Sequence, residues 1–410
     1  MQIKPVLTAL RRHKAGTVLV VLQIALTLAI VCNAMFILHA RLSHLSEPTG
    51  VDEANLFVIA NQWAGEQKSK QEIDAQVRAD LIALQQLPGV LDAAPSNSYP
   101  LRGSGWDNFV GLKPDQLQPT SDAAVYLGDE HLLRALGVKL VAGRNFRADE
   151  IGTLGLREEV HPAQVIVTRA LAERLYPHGS ALGKPLYSMS ATPSTIIGIV
   201  DRLQTQSVDD WQRAYAYQSM IWPLRLDWPS GLYYIVRARP GQLAAAMREA
   251  PKALLALDSQ RIIDPSDGGS FAQIRQRAYD SDRGTAILMG IISAVLLVIT
   301  AAGIVGLTSF WVGQRRKQIG VRRALGARQR DILSYFLTEN LLISLGGVLL
   351  GVVLAVSMNV WLVVRMGAQP MSPLYLAAGV LLLLLLGQGA VLAPAMKASR
   401  VPPVEATRSV

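Results

Sequence analysis

Four apolar runs, each long enough to cross a lipid bilayer, constrain this 410-residue chain more than any other feature. A hydrocarbon core of about 30 Å needs roughly 20 apolar residues in helical form. The sequence supplies such runs at 15–40, 285–312, 336–364 and 374–393. They explain why half the residues are hydrophobic and only 17% are charged. They also exclude a disordered chain and a single soluble globule. The expected fold is a membrane α-helical bundle of four transmembrane helices, with a large extracytoplasmic α+β domain at 41–284 inserted between helices 1 and 2. The first run is too long for the apolar stretch of a signal peptide, and no small-x-small cleavage site follows it. It reads as an uncleaved signal anchor.

The formal net charge of +9 suggests nucleic-acid binding only until its distribution is read. Segment 1–14 carries Lys4, Arg11, Arg12 and Lys14. Segment 313–331 carries Arg315, Arg316, Lys317, Arg322, Arg323, Arg328 and Arg330 against Asp331. The tail 394–410 carries Lys397, Arg400 and Arg408 against Glu405. Together these hold a net +12, which leaves −3 for the remainder. By the positive-inside rule, the N-terminus (1–14), the segment 313–335 and the tail (394–410) face the cytoplasm. The domain 41–284 and a short loop at 365–373 lie outside. Trp311 and Trp361 sit near span ends, as interfacial anchors do.

The inserted domain has the patterns of a folded unit. Leu56–Ala60, Val165–Thr168, Thr195–Val200 and Tyr233–Ala238 suit strands. Lys70–Gln86 places Ile73, Val77, Leu81 and Leu84 on one helical face and stops at Pro88-Gly89. Arg169–Tyr176 and Gly241–Leu257 read as further helices. Five of the seven tryptophans (Trp63, Trp106, Trp211, Trp222, Trp228) fall here and read first as packing. The single cysteine, Cys32, allows no intrachain disulfide.

No catalytic or metal constellation emerges. Gly179–Lys184 imitates a phosphate loop, but with three residues between the glycines and Pro185 where Ser or Thr is needed. The histidines lack metal spacing. Intramembrane polar residues are functional suspects by position: Gln23, Asn33, Glu339, Asn340 and Gln388. Glu339 lies close enough to the basic segment to pair with an arginine. Gly347 and Gly351 form a small-xxx-small pair suited to close helix packing.

The most informative stretch is Arg315-Arg316-Lys317-Gln318-Ile319-Gly320-Val321-Arg322-Arg323-Ala324-Leu325-Gly326. A purely topogenic loop needs only charge. Here Ile319, Val321, Ala324 and Leu325 alternate with the basic residues, so a short amphipathic helix ending at Gly326 is expected.

This stretch resembles the cytoplasmic element of FtsX-like permeases of the MacB type, R-[KR]-x-E-I-G-[IV]-R-[KR]-A-L-G-A. The resemblance extends through Ile332, Phe336, Glu339 and Gly346-Gly347. It resumes in the tail at Pro394-Ala395, Ala398-Ser399-Arg400-Val401 and Pro403-Val404-Glu405-Ala406. In the inserted domain, Leu136-Gly137-Val138, Leu140, Gly143-Arg144, Phe146, Val165–Leu175 and Leu182-Gly183-Lys184 are similar to the family's periplasmic signature. Gln318 departs from the usual glutamate and puts in doubt a salt bridge to the ATPase there.

The resemblance implies a non-catalytic permease subunit in a bacterial inner membrane. It would work as a dimer, with a second copy or a sister permease, beside two copies of a cytoplasmic ABC ATPase. The first span begins near residue 15, so the ATPase is expected on another chain. That chain would hold the ATP and Mg; no cofactor is expected on this one. Residues 315–326 would couple to the ATPase, and 41–284 would engage cargo or a periplasmic membrane-fusion adaptor. The expected partners are thus protein and membrane lipid, not nucleic acid. The bundle would transmit motion rather than form a substrate path. Two alternatives share this architecture: an FtsX-type regulator of periplasmic cell-wall enzymes and a lipoprotein-extracting permease.

Overall fold

The computed structural model describes residues 14–45, 47–64, 68–114, 116–155, 158, 161–207, 212–228, 231–366 and 370–400. Lys4, Arg11, Arg12, Trp211 and the closing motif from Val401 onward lie outside the described residues. The chain divides into a β-rich unit, 47–280, and a helical unit formed by the segments on either side of it.

The first helix of the helical unit is α1 (Lys14–Leu45). The β-rich unit follows: β1 (Leu56–Trp63), α2 (Lys70–Gln85), β2 (Val90–Ser96), β3 (Trp106–Gly111), β4 (Ser121–Leu127), α3 (Leu132–Leu136), β5 (Leu140–Gly143), β6 (Gly152–Leu154), β7 (Gln164–Thr168), α4 (Arg169–Leu175), β8 (Pro185–Ser188), β9 (Ser194–Val200), β10 (Ser219–Trp222), β11 (Leu224–Leu226), β12 (Leu232–Ala238), α5 (Leu243–Leu257), β13 (Arg261–Ser270) and α6 (Phe271–Ala278). The chain then returns to the helical unit as α7 (Asp280–Gln314), α8 (Arg316–Ala324), α9 (Gln329–Met366) and α10 (Pro373–Ser399).

Two sheets organise the β-rich unit. The first is antiparallel, in the order β13-β1-β12-β2, and α2 and α5 pack on it. Ser69 caps α2: its hydroxyl accepts from the Glu72 N–H, and the Glu72 carboxylate accepts from the Ser69 N–H at 2.7 Å. Ile73, Val77, Leu81 and Leu84 are buried, as the periodicity expects. Asp80 lies buried on the same face. The second sheet runs β5-β9-β7-β10-β4-β3-β8, and an added β8–β9 pairing closes six of its strands into a ring. Strands β6 and β11 form a small parallel pair. A continuous core runs from Phe57 and Val77 to Val125, Val167 and Ile196.

The helical unit contains four helices long and apolar enough to cross a membrane. Helix α7 has 35 residues and spans about 52 Å at 1.5 Å per residue. Helix α1 packs against both α9 and α10. Contact with α9 depends on Gly347 and Gly351. A Cβ at Gly347 would sit 2.8 Å from Ile24 side-chain carbons, and one at Gly351 would sit 3.0 Å from the Ala25 Cα. Polar groups add specificity where helix association gains little from hydrophobicity. Gln23 donates to the Ile299 carbonyl at 3.0 Å. Thr27 and Thr300 hydroxyls lie 2.8 Å apart, and Asn33 donates to the Ala355 carbonyl at 3.2 Å.

Candidate functional site

The basic segment folds as a helix–turn joint between two spans. Helix α7 ends at Gln314, Arg315 breaks the helical run, and α8 continues for nine residues. Gly326 adopts φ +98°. This lets the Ala327 N–H reach the Arg322 carbonyl at 3.0 Å and the Gly326 N–H reach the Arg323 carbonyl at 3.2 Å, the paired bonds of a Schellman stop. A side chain at 326 would strain that turn. The Arg328 N–H donates to Asp331 at 2.8 Å and opens α9.

The joint has two different faces. Ile319 and Gly320 are buried, with Ile319 in the cluster that contains Trp311, Ile332, Phe336 and Ala395. Lys317, Gln318, Val321, Arg322, Ala324 and Leu325 are exposed; Leu325 is 84% accessible. The expected single apolar stripe is therefore split. Residues 319 and 321 point about 200° apart on a helix, so burying Ile319 turns Val321 and Leu325 outward.

Arg315 anchors the joint. Its Nη1 donates to both Glu339 oxygens, at 3.0 and 2.9 Å, and to the Tyr335 hydroxyl at 3.3 Å. The Glu339 side chain is 2% exposed and that of Arg315 13%. The guanidinium also lies 5.9 Å from the Trp311 ring centroid. Arg322 stacks 5.2 Å above Tyr335, and Arg323 Nη1 donates to the Ala327 carbonyl at 3.3 Å. Removing one partner of a buried ion pair leaves an uncompensated charge and costs about 3–5 kcal/mol. The α7–α8 break is thus tied firmly to α9. Among the described residues, the joint presents an exposed, basic and partly apolar surface.

Other singled-out residues separate from this joint. Gly347 and Gly351 serve helix packing against α1. Among Asn340 and Gln388, buried amide nitrogens lack hydrogen-bond partners among the described residues. Lys184 of the false phosphate loop lies 4.4 Å over the Tyr176 ring. Arg144 makes two bonds to Glu150, at 2.8 and 2.6 Å, so that part of the signature is a structural clamp. No group of three or more metal-binding side chains occurs among the described residues.

Two networks escaped the sequence reading. One is the buried Arg261–Asp80 pair, signalled only by an acid on the apolar face of α2. The other joins Arg102, Asp267, Tyr99 and Tyr233, and no local pattern announces it.

Comparison with known proteins places the chain among transport permeases. Residues 17–254 match the model of the MacB-like periplasmic core domain, and residues 290–403 match the FtsX-like permease C-terminal model. The Macrolide export ATP-binding/permease protein MacB of Chromobacterium violaceum is 27% identical over 340 residues, covering 78% of this chain and 49% of that protein. The chain thus spans about half the length of this relative. The uncharacterized ABC transporter permease YvrN of Bacillus subtilis is 23% identical over 411 residues, covering 97% of this chain and 96% of YvrN. Among solved structures, the periplasmic region of MacB from Actinobacillus actinomycetemcomitans has a TM-score of 0.35 and 15% identity, covering 57% of this chain and 97% of that one.

Proposed function

We propose, since the chain belongs to the family of ABC transporter permeases with a MacB-like periplasmic core and an FtsX-like C-terminal region, that it is the permease subunit of an export system driven by a separate ABC ATPase. The chain is a membrane protein with an extracytoplasmic domain. In this reading it sits in a bacterial inner membrane. Its termini and the Arg315–Gly326 joint face the cytoplasm, because the basic residues concentrate there. The match to a relative named as an ABC transporter permease, YvrN, is in keeping with a permease role; in this reading a partner ATPase would hold the ATP and Mg.

The observation that carries the proposal is the two-faced joint. Arg315 and Glu339 lock it to α9, while Val321, Arg322 and Leu325 remain exposed for a partner. ATPase closure would press on α8. The buried pair would pass the displacement into α7 and α9, and α7 leads directly into the 47–280 domain. Two permeases, identical or sister, would complete the assembly, and the moving domain would act on cargo or an adaptor. Gln318 is exposed, so this contact would rest on apolar and arginine contacts rather than on a carboxylate at that position.

Leu325→Glu combined with Val321→Glu tests the proposal. Both side chains are exposed, so folding should be unaffected. Co-purification of the cognate ABC ATPase should be lost. Undiminished co-purification would remove the coupling role from this surface.

A further inference from the structure

Two of the spans end in exposed cations. On α9, Arg330 is followed at helical spacing by Ser334, Leu337, Leu341 and Leu345, all exposed or half-buried. On α10, Lys397 is preceded in the same way by Ala393, Ala390, Leu386 and Leu382. Leu341, Leu345 and Leu382 keep 39%, 40% and 38% of their surface. Steps of three and four residues hold side chains to one face of a helix. Each cation therefore closes an apolar stripe that the chain leaves uncovered.

Both stripes close at the same end of the helical unit. Helices α9 and α10 run in succession, so the start of α9 and the end of α10 lie together, and their neighbours Ile332 and Ala395 share one buried cluster. The charge at this end is one-sided. Glu339 is spent on Arg315, and Asp331 accepts from the Arg328 N–H. Lys317, Arg322, Arg328, Arg330 and Lys397 are exposed and enter no ion pair among the described residues. An excess of cations alone would serve topology. The stripes add a direction, because an uncovered apolar face meets acyl chains and a cation that closes it meets the headgroup layer.

We infer that Arg330 and Lys397 bind the headgroups of anionic phospholipids. A zwitterionic headgroup would bring its own ammonium beside these cations, whereas an anionic one brings only the opposite charge. The inference needs no more than spans seated in a bilayer, so its failure would leave the ATPase reading standing.

The test uses the full chain in dodecyl maltoside, with the thermal unfolding midpoint titrated against short-chain phosphatidylglycerol, short-chain phosphatidylcholine and inorganic phosphate. Phosphatidylglycerol should raise the midpoint saturably, and the other two should not. Arg330→Ala and Lys397→Ala should each weaken that binding about fivefold, while Arg330→Lys should keep most of it. Arg248→Ala, at an exposed arginine of α5, should leave it unchanged. Both altered side chains are exposed, so the variants should fold. Should one fail, native mass spectrometry of the unaltered chain gives a second reading: phosphatidylglycerol should be retained over phosphatidylcholine from an equimolar mixture, and equal retention would count against the inference. An equal midpoint response to phosphatidylcholine or to phosphate would overturn it, as would an affinity that the double Ala variant leaves unchanged. Loss of a dimer without loss of lipid in that variant would assign the stripes to a second copy and overturn it as well.

Discussion

In the β-rich unit, Arg261 meets Asp80 with both side chains fully buried. Two parallel bonds join them at 2.7 and 2.8 Å. Tyr234 and Gln76 donate to the same carboxylate, while Asn61 and the Asp258 carbonyl accept from the same guanidinium. In the helical unit, Arg315 approaches Glu339 through a single nitrogen shared between two oxygens, one residue before an exposed helix. The chemistry is alike and the settings differ. The first pair is enclosed in a hydrogen-bond network inside one domain, as expected of a group that holds β13 and α2 together. The second ties a break between helices to a neighbouring span; in the proposed function this is the connector that would carry displacement.

Breaking the enclosed pair should have the largest effect. Asp80→Ala strands a buried guanidinium at a cost of about 3–5 kcal/mol, a large share of the roughly 5–15 kcal/mol that keeps a domain folded. Limited proteolysis of the full chain in nanodiscs should then show rapid cleavage within 47–280, with the spans intact. Glu339→Gln sharpens the contrast: it keeps the shape and removes the charge. The expected result is an intact complex with the ATPase but a drop of about tenfold or more in the coupled response of the 47–280 domain, followed by a spin or fluorescence label there. Loss of the complex itself would mean that the pair serves docking. Gly351→Leu comes next, because overpacking against Leu28 and Ala25 should cost about 1–3 kcal/mol, read as lower thermal stability in detergent.

The smallest effect concerns pH. Burial pushes the Asp129 carboxyl up to about 7 from an ordinary 3.8. Between those values the folded state holds a proton that the unfolded chain has released, so stability falls as pH rises through this window and levels off above it. His131 is raised by its hydrogen bond to Asp92. It adds stability below the ordinary histidine value that is lost as pH rises through its raised one, so the two trends agree. Asp129→Asn should flatten the fall in unfolding midpoint between about pH 4.5 and 7, and an unchanged slope would refute the assignment.

The same comparison shows what the sequence made legible. The spans were readable because about 20 consecutive apolar residues have few other uses, and α2 was readable from Ile73, Val77, Leu81 and Leu84. Strand β13 was not, since Pro265, Gly268 and Gly269 hide any alternation, and its pairing with β1 is decided in three dimensions. The Asp80–Arg261 contact bridges 181 positions, and only the misplaced acid on an apolar face hinted at it. At the joint, the motif located the residues and put Glu339 within reach of an arginine. Which apolar side chains face outward depended on the packing of Ile319 against Trp311 and Phe336. Arg323, which reads as part of the docking charge, instead braces the turn through Ala327.

Introduced thiols can test the central claim directly, because the chain's single cysteine, Cys32, is buried among the spans. Leu325→Cys and Ile319→Cys should be compared by short-range cross-linking in membranes that contain the cognate ABC ATPase, with products identified by mass spectrometry. A lever that docks through its exposed face predicts a nucleotide-sensitive cross-link from position 325 and none from position 319. Absence of a cross-link at 325, or equal cross-linking from both positions, would contradict it.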